Sequence, residues 1–155
     1  MQNNEELVDT LNELVRINYD RIFGYERAIE DVETEDVDLK TVFSEYADQS
    51  RKYVTQWQES IRSIGGEPAT DSTVRGKLFR VWMDFKATIT AKSRQSILDS
   101  CEFGEDAAQR QYQNVLESDT HLPDDIRQKI AEQKSELKSA HDSIRDAAKL
   151  HEKID

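Results

Sequence analysis

Apolar residues recur at intervals of three and four along four long stretches of the chain, a spacing that places them on one face of an α-helix. These stretches cover residues of about 4–33, 39–64, 93–118 and 123–150. Polar turns separate the first stretch from the second and the third from the fourth. Gly65 and Gly66, followed by Pro68, end the second stretch, because glycine accepts the left-handed conformation that closes a helix. The pattern predicts four long amphipathic helices.

A fifth, shorter stripe lies between the second and third long helices, over residues 73–88. A helix of that length extends roughly 25 Å. A bundle whose helices alternate in direction has short loops and needs no such segment. We therefore predict a crossover along the bundle that leaves the second and third long helices parallel, as in ferritin-like folds. The alternatives are a lid across one end of the bundle and a dimer contact.

Composition agrees with an all-α fold in a single domain. The chain has 155 residues, the size of one domain, and we assign residues 1–155 to one four-helix-bundle domain. Hydrophobic residues make up 36% of the chain and charged residues 34%, which is enough for one buried stripe on each helix. The same composition is too polar for a sheet that is buried on both faces.

Charge and cysteine content narrow the classes of function. A net charge of −11 repels nucleic acid phosphates and anionic lipid, so we expect neither as a partner. No apolar run approaches the roughly 20 residues of a membrane span. The N-terminus is polar and acidic, unlike a secretory signal, and Cys101 is the single cysteine. A cytoplasmic location is therefore the expectation.

Polar residues that interrupt the apolar stripes are the candidates for function, because a buried polar group needs a partner. Folding the predicted helices about their turns brings Glu26, Glu102 and His141 to about one height, with Glu105 one turn further along. Carboxylates and an imidazole that converge in this way suit divalent iron, manganese or zinc. The sequence therefore predicts metal ligands at Glu26, Glu102, Glu105 and His141.

The complete ligand set of a di-iron centre is absent. Ferritin-like di-iron proteins take a Glu from one helix of each half and a Glu-x-x-His pair from the next. Lys138 stands where the fourth helix would need the Glu, and Asp48 stands where the second would need the His. The remaining residues would suit one ion rather than two.

A hydrogen-bonded core network without metal is the competing interpretation. In it, Glu102 or Glu105 binds His141, which satisfies the burial of both groups. Three further polar side chains would lie beside them: Asn18, Tyr25 and Tyr46.

A series of short motifs, taken in their order, resembles an uncharacterised bacterial family of ferritin-like four-helix-bundle proteins. The resemblance covers nearly the whole chain, implies the ferritin-like fold and supplies no activity. The motifs are Asn18-Tyr19-Asp20-Arg21, Gly24-Tyr25-Glu26, Ser50-Arg51, Gly65-Gly66-Glu67-Pro68, Trp82-Met83-Asp84-Phe85-Lys86, Cys101-Glu102-Phe103-Gly104-Glu105-Asp106 and His141-Asp142-Ser143-Ile144.

Three hypotheses of function follow. The first is a non-catalytic bundle that acts through interaction in bacterial stress physiology, as a homodimer or with another protein around Phe23 and Trp82. The second is a binder of one divalent metal ion such as iron, which would be its cofactor. The third, a metal-dependent oxidase, needs two metals and an open coordination position, and we rank it last.

Overall fold

The computed structural model describes residues 2–32, 34–70 and 93–154, with side chains from residue 4 to residue 150 of these ranges. Four α-helices run through them, and the described residues contain no strand. The helices are α1 (Gln2–Asp31), α2 (Val37–Ser63), α3 (Arg94–Glu117) and α4 (Asp124–Ile154). The four long helices predicted from periodicity are confirmed, although α4 extends four residues further than predicted. No helix in the described part of the chain is long and apolar enough to span a membrane.

The helix ends follow from local sequence. Gly65 has a φ of 83°, and its N–H donates to the carbonyl of Arg62 while the N–H of Gly66 donates to the carbonyl of Ile61 at 2.9 Å. This pair of hydrogen bonds is the Schellman closure that a glycine permits. At the start of α3, the hydroxyl of Ser93 accepts a hydrogen bond from the N–H of Ser96 at 3.1 Å and caps the helix.

The predicted crossover topology is confirmed by contacts at both ends of the bundle. The carbonyl end of α2 lies beside the start of α1, where Gly66 contacts Val8. The start of α3 lies at the opposite end, where Arg94 binds the carboxylates of Asp36 and Asp38 at 2.9 and 2.7 Å. Helices α2 and α3 therefore run parallel, and their connection begins and ends at opposite ends of the bundle. The helix predicted for residues 73–88 lies outside the described residues, so its position as crossover, lid or dimer contact stays a prediction.

Two apolar clusters fill the described core, one toward each end of the bundle. One cluster includes Leu11, Trp57 and Ile130, and the other includes Phe43 and Leu98. A layer of buried polar side chains separates them at mid-height. Its central members are Asn18, Arg21, Ser50 and Glu105, each at most 1% exposed. The fold thus places its buried charges in the middle of the bundle, where water cannot reach them.

The close approach of Gly66 to α1 gives a test of this packing. A Cβ atom on Gly66 would overlap both γ-carbons of Val8. We expect Gly66→Ala to lower the free energy of unfolding by about 1–3 kcal/mol, the usual cost of overpacking, measured by urea denaturation. The Val8→Ala change should restore part of the loss when combined with Gly66→Ala. If Gly66→Ala is equally destabilising in the unchanged protein and in the Val8→Ala variant, Gly66 does not pack against Val8.

Candidate metal centre and the polar interior

A buried ion pair joins α1 to α3 at the centre of the bundle. The Arg21 guanidinium donates from Nε to Glu105 Oε1 at 2.7 Å and from Nη2 to Glu105 Oε2 at 2.9 Å, and both side chains are 1% exposed. The hydroxyl of Tyr25 donates to Glu105 Oε2 at 2.9 Å. Both carboxylate oxygens of Glu105 are therefore occupied by protein donors.

The remaining donor of the guanidinium points at α2. Arg21 Nη1 donates to the carbonyl of Tyr46 at 3.1 Å and to Ser50 Oγ at 2.8 Å. The rings of Tyr25 and Tyr46 lie 5.3 and 5.5 Å from the guanidinium carbon, which adds cation–π attraction. Ser50 in turn donates to Asn18 Oδ1 at 2.9 Å. This arrangement gives the buried cation a partner on each side.

The hydrogen-bonded network continues from Asn18 to α4. Asn18 Nδ2 donates to the hydroxyl of Tyr112 at 2.9 Å, and Tyr112 donates to Gln133 Oε1 at 2.7 Å. Trp57 Nε1 donates to the same oxygen at 2.7 Å, and Gln133 Nε2 donates to Gln56 Oε1 at 2.9 Å. The network thus connects all four helices through protein hydrogen bonds.

Electrostatics keep this interior as one ion pair among neutral phenols. Burial alone would lower the pKa of Arg21, but the adjacent Glu105 carboxylate outweighs burial and raises that pKa above its ordinary value. Burial, reinforced by Glu105, raises the pKa of Tyr25 well above its ordinary value. Burial also raises the pKa of Tyr112 to about 12, against the opposing effect of the hydrogen bond from Asn18. The two phenols therefore remain protonated at neutral pH.

Two of the four predicted metal ligands lie away from the other two. Glu105 is held by Arg21, and Glu26 is 49% exposed and bound to Arg51 Nη2 at 3.1 Å. The cause is helical rotation of about 100° per residue. Tyr25 faces the interior, and its neighbour Glu26 therefore faces out. The structure does not bring these two carboxylates together with Glu102 and His141.

The other two predicted ligands meet at the seam between α3 and α4, where a third residue joins them. Oxygen atoms of Glu102 and Asp106 and a ring nitrogen of His141 all lie within 4.8 Å of one another. His141 Nε2 is 2.5 Å from Asp106 Oδ1. The His141 side chain is 14% exposed and that of Asp106 is 49% exposed, so one side of the cluster is open to solvent.

The orientation of the His141 ring is set by its neighbour on α4. Asp142 Oδ1 lies 3.0 Å from His141 Nδ1, and Lys138 Nζ donates to Asp142 Oδ2 at 2.9 Å. These hydrogen bonds, first that of Lys138 and then that of His141, lower the pKa of Asp142 to about 2. An imidazole protonated at Nδ1 alone would donate to the Asp142 carboxylate, which only accepts. The lone pair of Nε2 then faces Asp106 and Glu102.

The contact at Nε2 is a close ion-pair contact without regular hydrogen-bond geometry. The Nε2 atom is buried and has no hydrogen-bond partner among the described residues, although Asp106 Oδ1 is close to it. Two ligands of one ion, each about 2.1 Å from it, lie about 3 Å from each other, so Nε2 and Asp106 Oδ1, 2.5 Å apart, would have to separate slightly to hold an ion between them. One imidazole nitrogen and two carboxylate oxygens are a donor set that a single divalent transition metal accepts.

Asp106 was missed in the sequence analysis, although the sequence carries a signal for it. Asp106 follows Glu102 by four residues, so both lie on the same face of α3. Arg21 was also missed as the partner of Glu105. The competing core network is found in part. Asn18 and Tyr25 belong to a buried hydrogen-bonded network, but the residue that binds Glu105 is Arg21 and not His141.

The single cysteine, one further histidine and the two aromatic residues of the expected partner surface complete the inventory. Cys101 is buried in the core, and His121 is exposed. Phe23 is half-buried against the apolar core, with its ring centroid 6.2 Å from that of Tyr19. Trp82, the other half of the expected partner surface, lies outside the described residues.

The fold and the central polar layer define a ferritin-like four-helix bundle, and comparison with known proteins agrees. The sequence profile of a domain of unknown function, DUF2383, matches residues 6–118, and the chain belongs to that family. No curated protein matches the chain.

Solved structures share the architecture at low sequence identity. A mutant of Dps1 from Mycobacterium smegmatis superposes with a TM-score of 0.80 at 14% identity, over 95% of this chain and 97% of that chain. A ferritin-like, diiron-carboxylate protein from Bacillus anthracis superposes with a TM-score of 0.60 at 16% identity, over 99% of this chain and 98% of that one. At such identities the likeness establishes the fold alone.

The central ion pair should behave as a coupled unit. Removing one partner leaves an unpaired buried charge, so we expect Arg21→Met or Glu105→Leu alone to cost about 3–5 kcal/mol of unfolding free energy. The double variant should lose far less than the sum, as measured by urea denaturation followed through tryptophan fluorescence. Arg51→Ala breaks an exposed pair and serves as the control, with an expected loss below about 1 kcal/mol. Additive losses in the double variant would show that the two charges do not depend on each other.

Alkaline pH should weaken the fold through the buried phenols. The pKa of Tyr112 is about 12 in the folded chain against an ordinary value of 10.0, so the unfolded chain releases its proton first. The contribution of Tyr112 to the free energy of unfolding is therefore complete below pH 10. This contribution, about 3 kcal/mol, is lost as the pH rises toward 12. Urea denaturation between pH 8 and 11.5 measures the fall, and Tyr112→Phe should flatten it. If the stability of Tyr112→Phe falls with pH as steeply as that of the unchanged protein, the pKa of Tyr112 is not raised.

Proposed function

We propose that this chain is a non-catalytic ferritin-like bundle that binds one divalent transition-metal ion at the α3–α4 seam. Its ligands are Glu102, Asp106 and His141. The observation that carries the proposal is the convergence of the buried Nε2 atom of His141 with carboxylate oxygens of Glu102 and Asp106, all within 4.8 Å of one another. Asp142 directs that lone pair toward the ion, since a carboxylate on the other ring nitrogen fixes the tautomer of a metal-binding histidine.

The interior favours one ion rather than two. The Bacillus anthracis neighbour is described as a diiron-carboxylate protein, and a centre of that kind needs several carboxylates that project inward. Two carboxylates are fully buried among the described residues, Asp20 and Glu105, and Arg21 already neutralises Glu105. A metal ion at Glu105 would have to displace a guanidinium that has hydrogen-bond partners on two other helices, α2 and α3. A dinuclear iron centre does not fit these residues.

The metal would act in storage or sensing of a cation rather than in turnover. Glu102 and Asp106 supply negatively charged oxygen ligands, and His141 supplies a nitrogen ligand. Such a ligand set accepts iron, manganese or zinc. A bacterial stress role, a homodimer or other protein partner, a cytoplasmic location and the lack of a nucleic acid partner stay predictions from the sequence. The family match and the fold agree with this proposal without naming an activity.

Metal loading tests the proposal directly. We expect about one ion per chain by elemental analysis after anaerobic loading with iron, manganese or zinc, followed by desalting. His141→Ala should abolish retention, whereas His121→Ala, which removes an exposed histidine, should not. Asp142→Asn should weaken binding about 10- to 100-fold, the usual effect of losing the carboxylate behind a metal-binding histidine. Asp146→Asn removes the same charge from an exposed position on α4 and serves as its control.

Two results would count against this function. Retention of two ions per chain, with oxygen uptake above the buffer rate on addition of ferrous iron, would indicate a dinuclear oxidase. No metal above background in any condition, with circular dichroism unchanged in all variants, would leave the seam as a purely structural His–carboxylate contact.

A further inference from the structure

Two pairs of opposite charge lie on α4 beside the ring of His141. Lys138 Nζ donates to Asp142 Oδ2 at 2.9 Å, and Arg145 Nη2 lies 3.4 Å from Asp146 Oδ1. Arg145 Nη1 also lies 3.4 Å from Asp142 Oδ1, so both pairs belong to one cluster. Each cation cancels one carboxylate, and the four charged side chains together contribute no net charge to the seam.

The proposed ligands keep two negative charges of their own. Glu102 and Asp106 bind a metal as carboxylates, and a histidine ligand binds it as neutral imidazole. A divalent ion would therefore bring the seam to neutrality, whereas a trivalent ion would leave one positive charge. This balance depends on Lys138, because without its ammonium the carboxylate of Asp142 would add a third negative charge behind His141.

Lys138 is close enough to act on an ion at the seam. It precedes His141 by three residues, which places the two side chains on neighbouring parts of α4 one turn apart. The hydrogen bonds from Lys138 through Asp142 to the His141 ring place the ammonium on the order of 10 Å from an ion on Nε2.

The repulsion between this ammonium and a metal ion is modest but grows with the charge of the ion. The Lys138 side chain is 64% exposed, so water screens it. With a dielectric close to that of water, Coulomb's law at this distance gives a change in affinity of about two- to fourfold for each unit of ion charge at low salt. A trivalent ion is therefore disfavoured by one such factor more than a divalent ion, and selectivity is this difference in affinity.

We propose that Lys138 is a specificity-determining residue that makes the α3–α4 seam selective for divalent over trivalent ions. This inference rests on the proposed function and narrows its ligand class. Di-iron bundles have a carboxylate three residues before the histidine, so the lysine places a positive charge where that pattern has a negative one. Iron at the seam is accordingly held more favourably in the ferrous than in the ferric state.

The reduction potential of iron bound to the full-length protein tests this role, because it reports the ratio of ferric to ferrous affinity. Lys138→Met should shift that ratio about two- to fourfold toward ferric iron, a fall of about 20–35 mV in the potential. Ferrous binding, measured by anaerobic calorimetry, should become tighter, since the opposing charge is gone. Lys138→Arg should retain both values of the unchanged protein. The shift should shrink in about 1 M salt, which screens charges at this range.

Lys149→Met is the matched control, because it removes the same charge from an exposed position of α4 about two turns beyond His141. Equal shifts of the potential in Lys149→Met and Lys138→Met would overturn the inference, since the net charge would then explain them. Weaker ferrous binding in Lys138→Met at an unchanged potential would also overturn it, and would show that Lys138 only positions Asp142.

The same experiment separates this inference from the proposed function. If the unchanged protein retains one iron ion and Lys138→Met leaves the potential as it was, the metal site stands and the role of Lys138 falls. If the unchanged protein retains no iron, the proposed function falls together with this inference.

Discussion

The ion pair of Arg21 and Glu105 is the constraint on which the rest of the bundle depends. Two charges that are 1% exposed require partners of good geometry, and the guanidinium offers its donors in a fixed fork. Two of those donors fix the height of α3 against α1, and a third fixes α2 through Ser50. A buried pair of this kind adds little net stability over apolar residues of the same size. Its effect is to exclude other registers, since any slip of one helix would bury an unpaired charge.

The same pair decides where metal chemistry can occur. A ferritin-like bundle has room at its centre for ligands from four helices, and this chain fills that room with its own cation and phenols. The proposed metal ligands therefore lie at the α3–α4 seam, where the Asp106 side chain is half exposed. The residues behind the seam orient the candidate ligand, because Asp142 fixes the ring of His141 and Lys138 holds Asp142.

The fold was largely predictable from sequence, whereas the site was predictable only in part. Helices follow from apolar periodicity, and the crossover follows from the length of chain between Gly66 and Ser93, so both depend on local or countable features. A ligand set depends instead on helix rotation, and three residues on α3 separate an interior Glu105 from a seam-facing Glu102 by only about 60° around the axis. An estimate of residue heights from the positions of the turns does not resolve so small a rotation. Arg21 escaped prediction because a long charged side chain in a stripe normally extends to solvent.

The spacing of acceptors, more than total charge, determines which cation each part of this acidic chain can hold. Glu105 alone at the dry centre matches one guanidinium, whose planar donors fit a single carboxylate. Glu102, Asp106 and His141 converge within 4.8 Å, which suits the short bonds of a metal ion. A net charge of −11 attracts every cation alike, and helix geometry is what distinguishes among them.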